Sequence, residues 1–269
     1  MIFQIISWNP DPEIFRLGPL AVRWYGVLFA SGFLFGYLIM RKFFKNEGIG
    51  DEVLDRLTIY MALGTIVGAR LGHCLFYEPA YYLSNPLEIL YIWRGGLASH
   101  GAAVGIPLAL WLFVRKEKKP YIWILDRVAV VVALAGVLIR LGNLMNSEIY
   151  GVETIVDWGF VFLRNGENAP KHPTQIYEAI AYLAIFLILY RIYWHKKGKF
   201  IPGVPFSLFM ILVFTARFFI EFVKEDQVAF ESAMKLNMGQ LLSIPLVLLG
   251  FAMLYISIRK AALRQGTKN

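Results

Sequence analysis

Long apolar stretches separated by short polar ones set the pattern of the chain. A helix that crosses a bilayer needs roughly 20 mostly apolar residues, and windows of that kind occupy 22–40, 54–75, 98–114, 128–145, 176–193, 204–223 and 241–258. The pattern predicts an all-α polytopic membrane protein of about seven transmembrane helices. It is read as a single integral membrane domain over residues 1–269, with an outer interfacial segment at 1–21 and outer loops at 78–96 and 152–171. The second loop is long enough for a small cap between the fourth and fifth helices, and 259–269 forms a cytoplasmic tail. Composition agrees, with 58% apolar and 17% charged residues among 269 and a mean hydropathy of +0.55.

The net charge of +8 changes the picture only through its distribution. Arg41, Lys42 and Lys45 follow the first window, Arg115, Lys116, Lys118 and Lys119 the third, Arg191, Lys196, Lys197 and Lys199 the fifth, and Arg259, Lys260 and Arg264 the seventh. Cations gathered between alternate spans mark the cytoplasmic side, so the N-terminus is expected outside and the C-terminus in the cytoplasm. A basic face of this kind meets anionic lipid heads, and no nucleic-acid partner is implied. The first twenty residues carry Asp11, Glu13 and three prolines without a basic start before an apolar core, so no cleavable signal peptide is expected. Cys74 is the only cysteine, which excludes an intramolecular disulfide and a Cys-rich metal site; it reads as a small apolar filler. No metal or cofactor is expected.

Against that apolar background, polar residues at helix ends stand out. The run 128–138 carries no charge and leads into Arg140, Asn143, Asn146, Ser147 and Glu148, which places ionisable groups at head-group depth. Such groups need a partner or a wet cavity and are by default a functional site. Helical spacing sets Arg140, Asn143 and Ser147 on one face. Other polar outer ends repeat the theme: Tyr25 after Trp24, Arg70 and His73 in the second helix, His100 at the mouth of the third among Gly95, Gly96, Gly101 and Gly105, then His172, Gln175 and Glu178 opening the fifth. Arg217 and Glu221 are four apart at the end of the sixth and can pair.

Bland readings accompany several of these. Tyr25 suits interfacial anchoring, and the outer loop after the second helix is rich in aromatics (Tyr81, Tyr82, Tyr91 and Trp93) and leads into Trp93-Arg94-Gly95-Gly96. Arg70 can pair structurally with Glu78 or Glu148, and His172 and Thr174 can serve as helix caps. The expected topology nonetheless puts every one of the singled-out groups at an outer helix end. Two arginines in an apolar setting suit an anion, because guanidinium matches phosphate with a planar fork of donors. At this depth the natural candidate is a phospholipid. No G-x-S-x-G, H-E-x-x-H or Walker loop is present.

The run Arg140-x-Gly142-Asn143-x-x-Asn146-x-Glu148-x-x-Gly151 closely resembles the signature of the prolipoprotein diacylglyceryl transferase family. Arg23-Trp24-Tyr25-Gly26, Gly68-Ala69-Arg70-Leu71-Gly72, Gly95-Gly96-Leu97-x-x-His100-Gly101, His172-Pro173-Thr174-Gln175-Ile176-Tyr177-Glu178, Arg217-x-x-x-Glu221 and Met238-Gly239-Gln240-x-Leu242-Ser243 resemble further blocks of the family, in its order. The chain departs from the pattern at Ile139, Leu144, Ala102 and Val213, which touches packing more than charge. The resemblance implies transfer of the diacylglyceryl group of phosphatidylglycerol to the lipobox cysteine in the signal peptide of a preprolipoprotein, in the bilayer of the bacterial inner membrane. It further implies His100, Arg140 and Arg217 as catalytic residues. Tyr25, Arg70, Asn143, Asn146, Glu148, Gly151, His172, Gln175, Glu178 and Glu221 would line the substrate site. The other reading from the residues is a non-catalytic membrane protein that binds or transports an anionic lipid or small anion; it requires polar residues toward the inner helix ends, which the first, third and fifth windows lack.

Overall fold

The computed structural model describes residues 5–18, 20–92, 95–226, 231 and 234–266. Trp93 and Arg94 lie outside the described residues, as do parts of the interfacial segment and of the tail. Eight helices are described: α1 (Trp24–Asn46), α2 (Asp51–Phe76), the short α3 (Pro79–Ser84), α4 (Ser99–Glu117), α5 (Tyr121–Met145), α6 (Thr174–Lys196), α7 (Val204–Ile220) and α8 (Met238–Gly266). Each apolar window of the sequence coincides with one of the seven long helices. Six of them, all but α4, are long and apolar enough to cross a membrane. In those six spans only 11 to 44% of the apolar window is buried inside the protein, so lipid must cover the rest. Large side chains such as Leu34, Leu63, Leu248 and Tyr255 accordingly face outward. The chain is a polytopic membrane protein. α4 has 19 residues, and His100 at one end and Arg115-Lys116-Glu117 at the other shorten its apolar stretch.

Strands were not expected, yet four short ones form among the described residues. β1 (Ile6–Trp8) pairs in parallel with β4 (Phe160–Phe162), and β2 (Glu13–Leu17) pairs antiparallel with β3 (Leu20–Arg23). The first pairing ties the N-terminal segment to the loop between α5 and α6, around a small cluster of Leu144, Phe160 and Phe162 with Trp8, Tyr150 and Ile176 packed on it.

Two compact units result: Met1–Ile39 with Asp126–Asn269, and Met40–Leu125. In the first, α1 lies against α5 where Gly32 and Gly36 meet Ala135 and Val131, and Gly136 of α5 receives the ring of Tyr182 from α6. Asp126 is wholly buried and accepts the N–H groups of Gly203 at 2.8 Å and Phe206 at 3.1 Å. That carboxylate from α5 satisfies the orphan donors and the positive end of the α7 dipole, a cap no local motif announces.

In the second unit, α2 and α4 approach so closely that a Cβ on Gly101 or Gly105 would overlap the backbone carbonyls of Gly68 or Gly64. Small residues three or four apart permit this, as at other membrane helix interfaces. The basic ends of α1 and α4 meet the starts of α2 and α5 over buried Phe43, Phe44, Leu54 and Phe113. Arg41 bonds Asp51 at 2.9 Å, Arg56 bonds Glu117 at 2.7 Å, and Trp123 donates to Glu47 at 3.1 Å.

Candidate active site

The end of α5 explains why its polar residues converge. The helix stops at Met145, and Ser147 takes a left-handed φ of 55°. The Ser147 N–H then bonds the carbonyl of Leu144, and the Glu148 N–H bonds that of Asn143, both at 3.0 Å. This is the double hydrogen bond of a Schellman stop, here with serine where glycine is usual. Ser147 therefore leaves the helical face it was expected to share with Arg140 and Asn143. Glu148 is turned back instead, and its Oε1 accepts the amide of Asn143 at 2.8 Å and that of Asn146 at 3.3 Å. The other end of the Asn143 amide, Oδ1, accepts from Arg140 Nη1 at 3.3 Å.

From Arg140 a line of alternating charges runs through the first unit. Its Nε lies 2.7 Å from Glu178, a fully buried carboxylate on α6. Glu178 is also 3.5 Å from Lys224, which is 3.1 Å from Glu221, which is 3.4 Å from Arg217. Burial of this many charges is tolerable only because each has an opposite partner. Arg140, Lys224 and Arg217 against Glu178 and Glu221 leave one positive charge in excess. Arg217 ends the line with about a third of its side chain exposed (34%), against 13% for Arg140.

Lys224 is the member the sequence did not single out. It looks like the start of a solvated charge run with Glu225 and Asp226, and the one signal that could have found it is its position three residues past Glu221 and seven past Arg217. Asn237 adds a hydrogen bond to Glu221 at 3.2 Å from the turn before α8. Gly239 then lets the Glu221 carboxylate lie on the first turn of that helix, in space a Cβ would fill.

Other expected residues fall around this line. The Tyr25 ring covers Gly142, where a Cβ would stand 2.8 Å from it. Gly151 is enclosed by the Val223 carbonyl, His172 and Thr174, and its N–H bonds the His172 carbonyl at 2.8 Å. Gln175 is buried and gives its amide to the Glu148 carbonyl at 2.8 Å. The His172 ring meets the Tyr177 hydroxyl through Nδ1 at 3.0 Å, and burial pushes it below the usual histidine range.

Two expected residues belong to the second unit. Arg70 is buried there, and among the described residues its donors reach main chain: the carbonyls of Ile89, Glu88, Gly95 and Gly96 at 2.9, 2.6, 2.6 and 3.2 Å, and it lies over the Tyr82 ring. Gly95 and Gly96, with φ of 90° and 73°, let the loop wrap that guanidinium; a Cβ on Gly96 would stand 2.7 Å from it. The structural pairing with a carboxylate that was open to Arg70 is thus taken up by main-chain carbonyls. His100 is exposed in the first turn of α4, and Cys74 is buried in α2.

The profile of the family described as prolipoprotein diacylglyceryl transferase matches residues 12–256. The chain belongs to that family. A Tolumonas auensis protein named phosphatidylglycerol–prolipoprotein diacylglyceryl transferase is 49% identical over 96% of this chain and 100% of its own length. Proteins of the same name from Chloroherpeton thalassium and Bacteroides fragilis are 43% and 42% identical, over 97% and 96% of this chain and 97% and 98% of theirs. Within this diacylglyceryl transferase family member, the signature from Arg140 to Gly151 is the α5 stop and the head of the charge line.

Proposed function

We propose that the protein transfers the diacylglyceryl group of phosphatidylglycerol to the lipobox cysteine of preprolipoproteins. The observation that carries this is the family match across nearly the whole chain, with relatives of that name matched over 97% or more of their length. The charge line ending in a partly exposed Arg217 supports an anionic donor.

In this reaction the cysteine sulfur attacks the glycerol carbon that bears the phosphodiester. A thioether forms, the carbon–oxygen bond breaks, and glycerol phosphate departs with the electron pair while the thiol proton goes to a base. A free thiol near neutral pH is mostly protonated, so the base must act first. His100 is proposed as that base on the strength of its Gly95-Gly96-Leu97-x-x-His100-Gly101 block. Arg140 and Arg217 would hold the phosphodiester and offset charge growing on the departing oxygen. Asn143, Asn146 and Glu148 would bind the glycerol head or keep Arg140 aligned, and Tyr25 would close over it.

α4 is proposed as a seventh span, which puts the N-terminus outside and the C-terminus inside. The gathering of Arg41, Arg56 and the α1 and α4 basic ends at one end of the second unit supports that orientation. The site residues would then face the outer side of the bacterial cytoplasmic membrane.

Purified protein incubated with phosphatidylglycerol and a lipobox peptide should give a diacylglyceryl thioether, read by mass spectrometry. The adduct should vanish with a serine peptide and with Arg217→Ala. Lipid binding with no adduct under any condition would replace the transferase reading with anion binding alone.

A further inference from the structure

Between Ser147 and Ile149 the backbone does what side-chain-bearing residues avoid. Ser147 has φ of 55° and Ile149 φ of 61°, so the two neighbours of Glu148 are both left-handed. For a β-branched isoleucine that is a genuine outlier, and such strain persists only where the surroundings over-determine it.

The surroundings here are four side chains, each aimed at a backbone carbonyl of the same short stretch. The Trp8 indole N–H donates to Leu144 at 2.9 Å and the Asn165 amide to Ser147 at 2.6 Å. The Gln175 amide donates to Glu148 at 2.8 Å and the Thr174 hydroxyl to Ile149 at 2.9 Å. They come from three places: β1, the turn Leu163–Asn165 after β4, and the first turn of α6. All lie in the unit that holds Arg140. With the carbonyls held from outside, the Glu148 side chain is left to meet Asn143 and Asn146, and Asn143 meets Arg140.

We propose that Trp8, Asn165, Thr174 and Gln175 are positioning residues that fix the strained turn around Glu148 and through it the Asn143–Arg140 pair. The inference rests on the transferase reading and deepens it. It also accounts for the pairing of β1 with β4, since Trp8 and Asn165 both reach the turn from that sheet and the short turn that follows it. Gln175, expected at the substrate, acts here on the turn.

Ordinary satisfaction of buried carbonyls would produce some of these bonds, so the test must separate positioning from bulk stability. Thr174→Val removes one donor at nearly constant shape, Thr174→Ser keeps it, and Asn165→Asp removes the amide donor of an exposed residue at little risk to folding. Each is assayed as the full chain in detergent with phosphatidylglycerol and a lipobox peptide, with melting temperature measured in parallel. Loss of one such bond should lower kcat about tenfold in Thr174→Val and Asn165→Asp, with KM for the lipid and the melting temperature nearly unchanged. Thr174→Ser should restore the rate.

Unchanged kcat in both donor-deleting variants overturns the inference. A raised KM at constant kcat overturns it too, since these residues would then be lipid contacts. So does a rate loss that tracks lost folded protein and is shared by Thr174→Ser. An inactive native protein is a different result, because it removes the transferase reading itself.

Discussion

The Arg140 Nε lies 2.7 Å from a Glu178 carboxylate that has no solvent exposure. Neither residue can therefore be assessed alone, because removing one leaves a buried charge without its counter-charge.

Replacing Glu178 with alanine should cost about 3–5 kcal/mol, the usual penalty for breaking a buried pair from one side. Arg140→Met combined with Glu178→Met should cost less than the sum of the single changes. Melting temperatures of the four proteins in one detergent decide this. Strict additivity would mean that the two charges do not interact. Loss of activity in Arg140→Ala is correspondingly ambiguous, and Arg140→Lys, which keeps the charge and loses the fork, isolates the phosphate-binding role.

Lys224 joins the two carboxylates of the line, at 3.5 Å from Glu178 and 3.1 Å from Glu221. Lys224→Met should turn the line from one excess positive charge to balance, weaken anion binding and raise KM for phosphatidylglycerol. Lys224→Arg should largely restore it. A KM unaffected by Lys224→Met in correctly folded protein would remove Lys224 from any electrostatic role.

Much of this was legible in the chain. Apolar windows located all seven long helices, since period and length carry that signal without tertiary help. The separation of four between Arg217 and Glu221 announced a pair, now 3.4 Å apart. What failed depends on distant partners. β1 and β4 are three residues each and about 150 positions apart, so neither reads as a strand until the other is beside it. Ser147 has the helical spacing that would put it on the Arg140 face, but the left-handed stop intervenes two residues after Met145. For Arg70 the sequence left open a structural pairing with a carboxylate beside a place at the substrate, and loop carbonyls, two of them from left-handed glycines, hold the guanidinium.

His172 provides the pH prediction. Trp158 donates its indole N–H to the Tyr177 oxygen at 2.9 Å, which leaves the Tyr177 hydroxyl to donate to a neutral His172 Nδ1 at 3.0 Å. Burial lowers the His172 pKa in the folded state below its value in the unfolded chain. The unfolded chain then binds the proton first, so this contribution to stability is whole above the unfolded value near 6.5 and is lost as pH falls through the lower folded value. Melting temperature followed from pH 8 to pH 5 should fall more steeply for the native protein than for His172→Gln. Parallel curves would show that His172 titrates alike in both states.

The glycine seam between α2 and α4 yields a prediction confined to the second unit. A Cβ on Gly101 would overlap the Gly68 carbonyl, and one on Gly72 would stand 2.6 Å from the Gly101 Cα. These neighbours are backbone, so no rotamer change relieves the clash and the helices must separate. Separation would forfeit contacts along the whole seam, because Gly64 and Gly105 touch in the same way. Gly101→Ala should therefore destabilise by about 1–3 kcal/mol, and Gly101→Val by more. Gly26, in the first turn of α1 with open space around its Cβ position, is the control: Gly26→Ala should be nearly neutral. Melting temperature and accessibility of Cys74 to a thiol reagent report the same event, since Cys74 is wholly buried in α2. If Gly101→Val melts like the native protein and keeps Cys74 shielded, the close approach of the two helices does not support the unit.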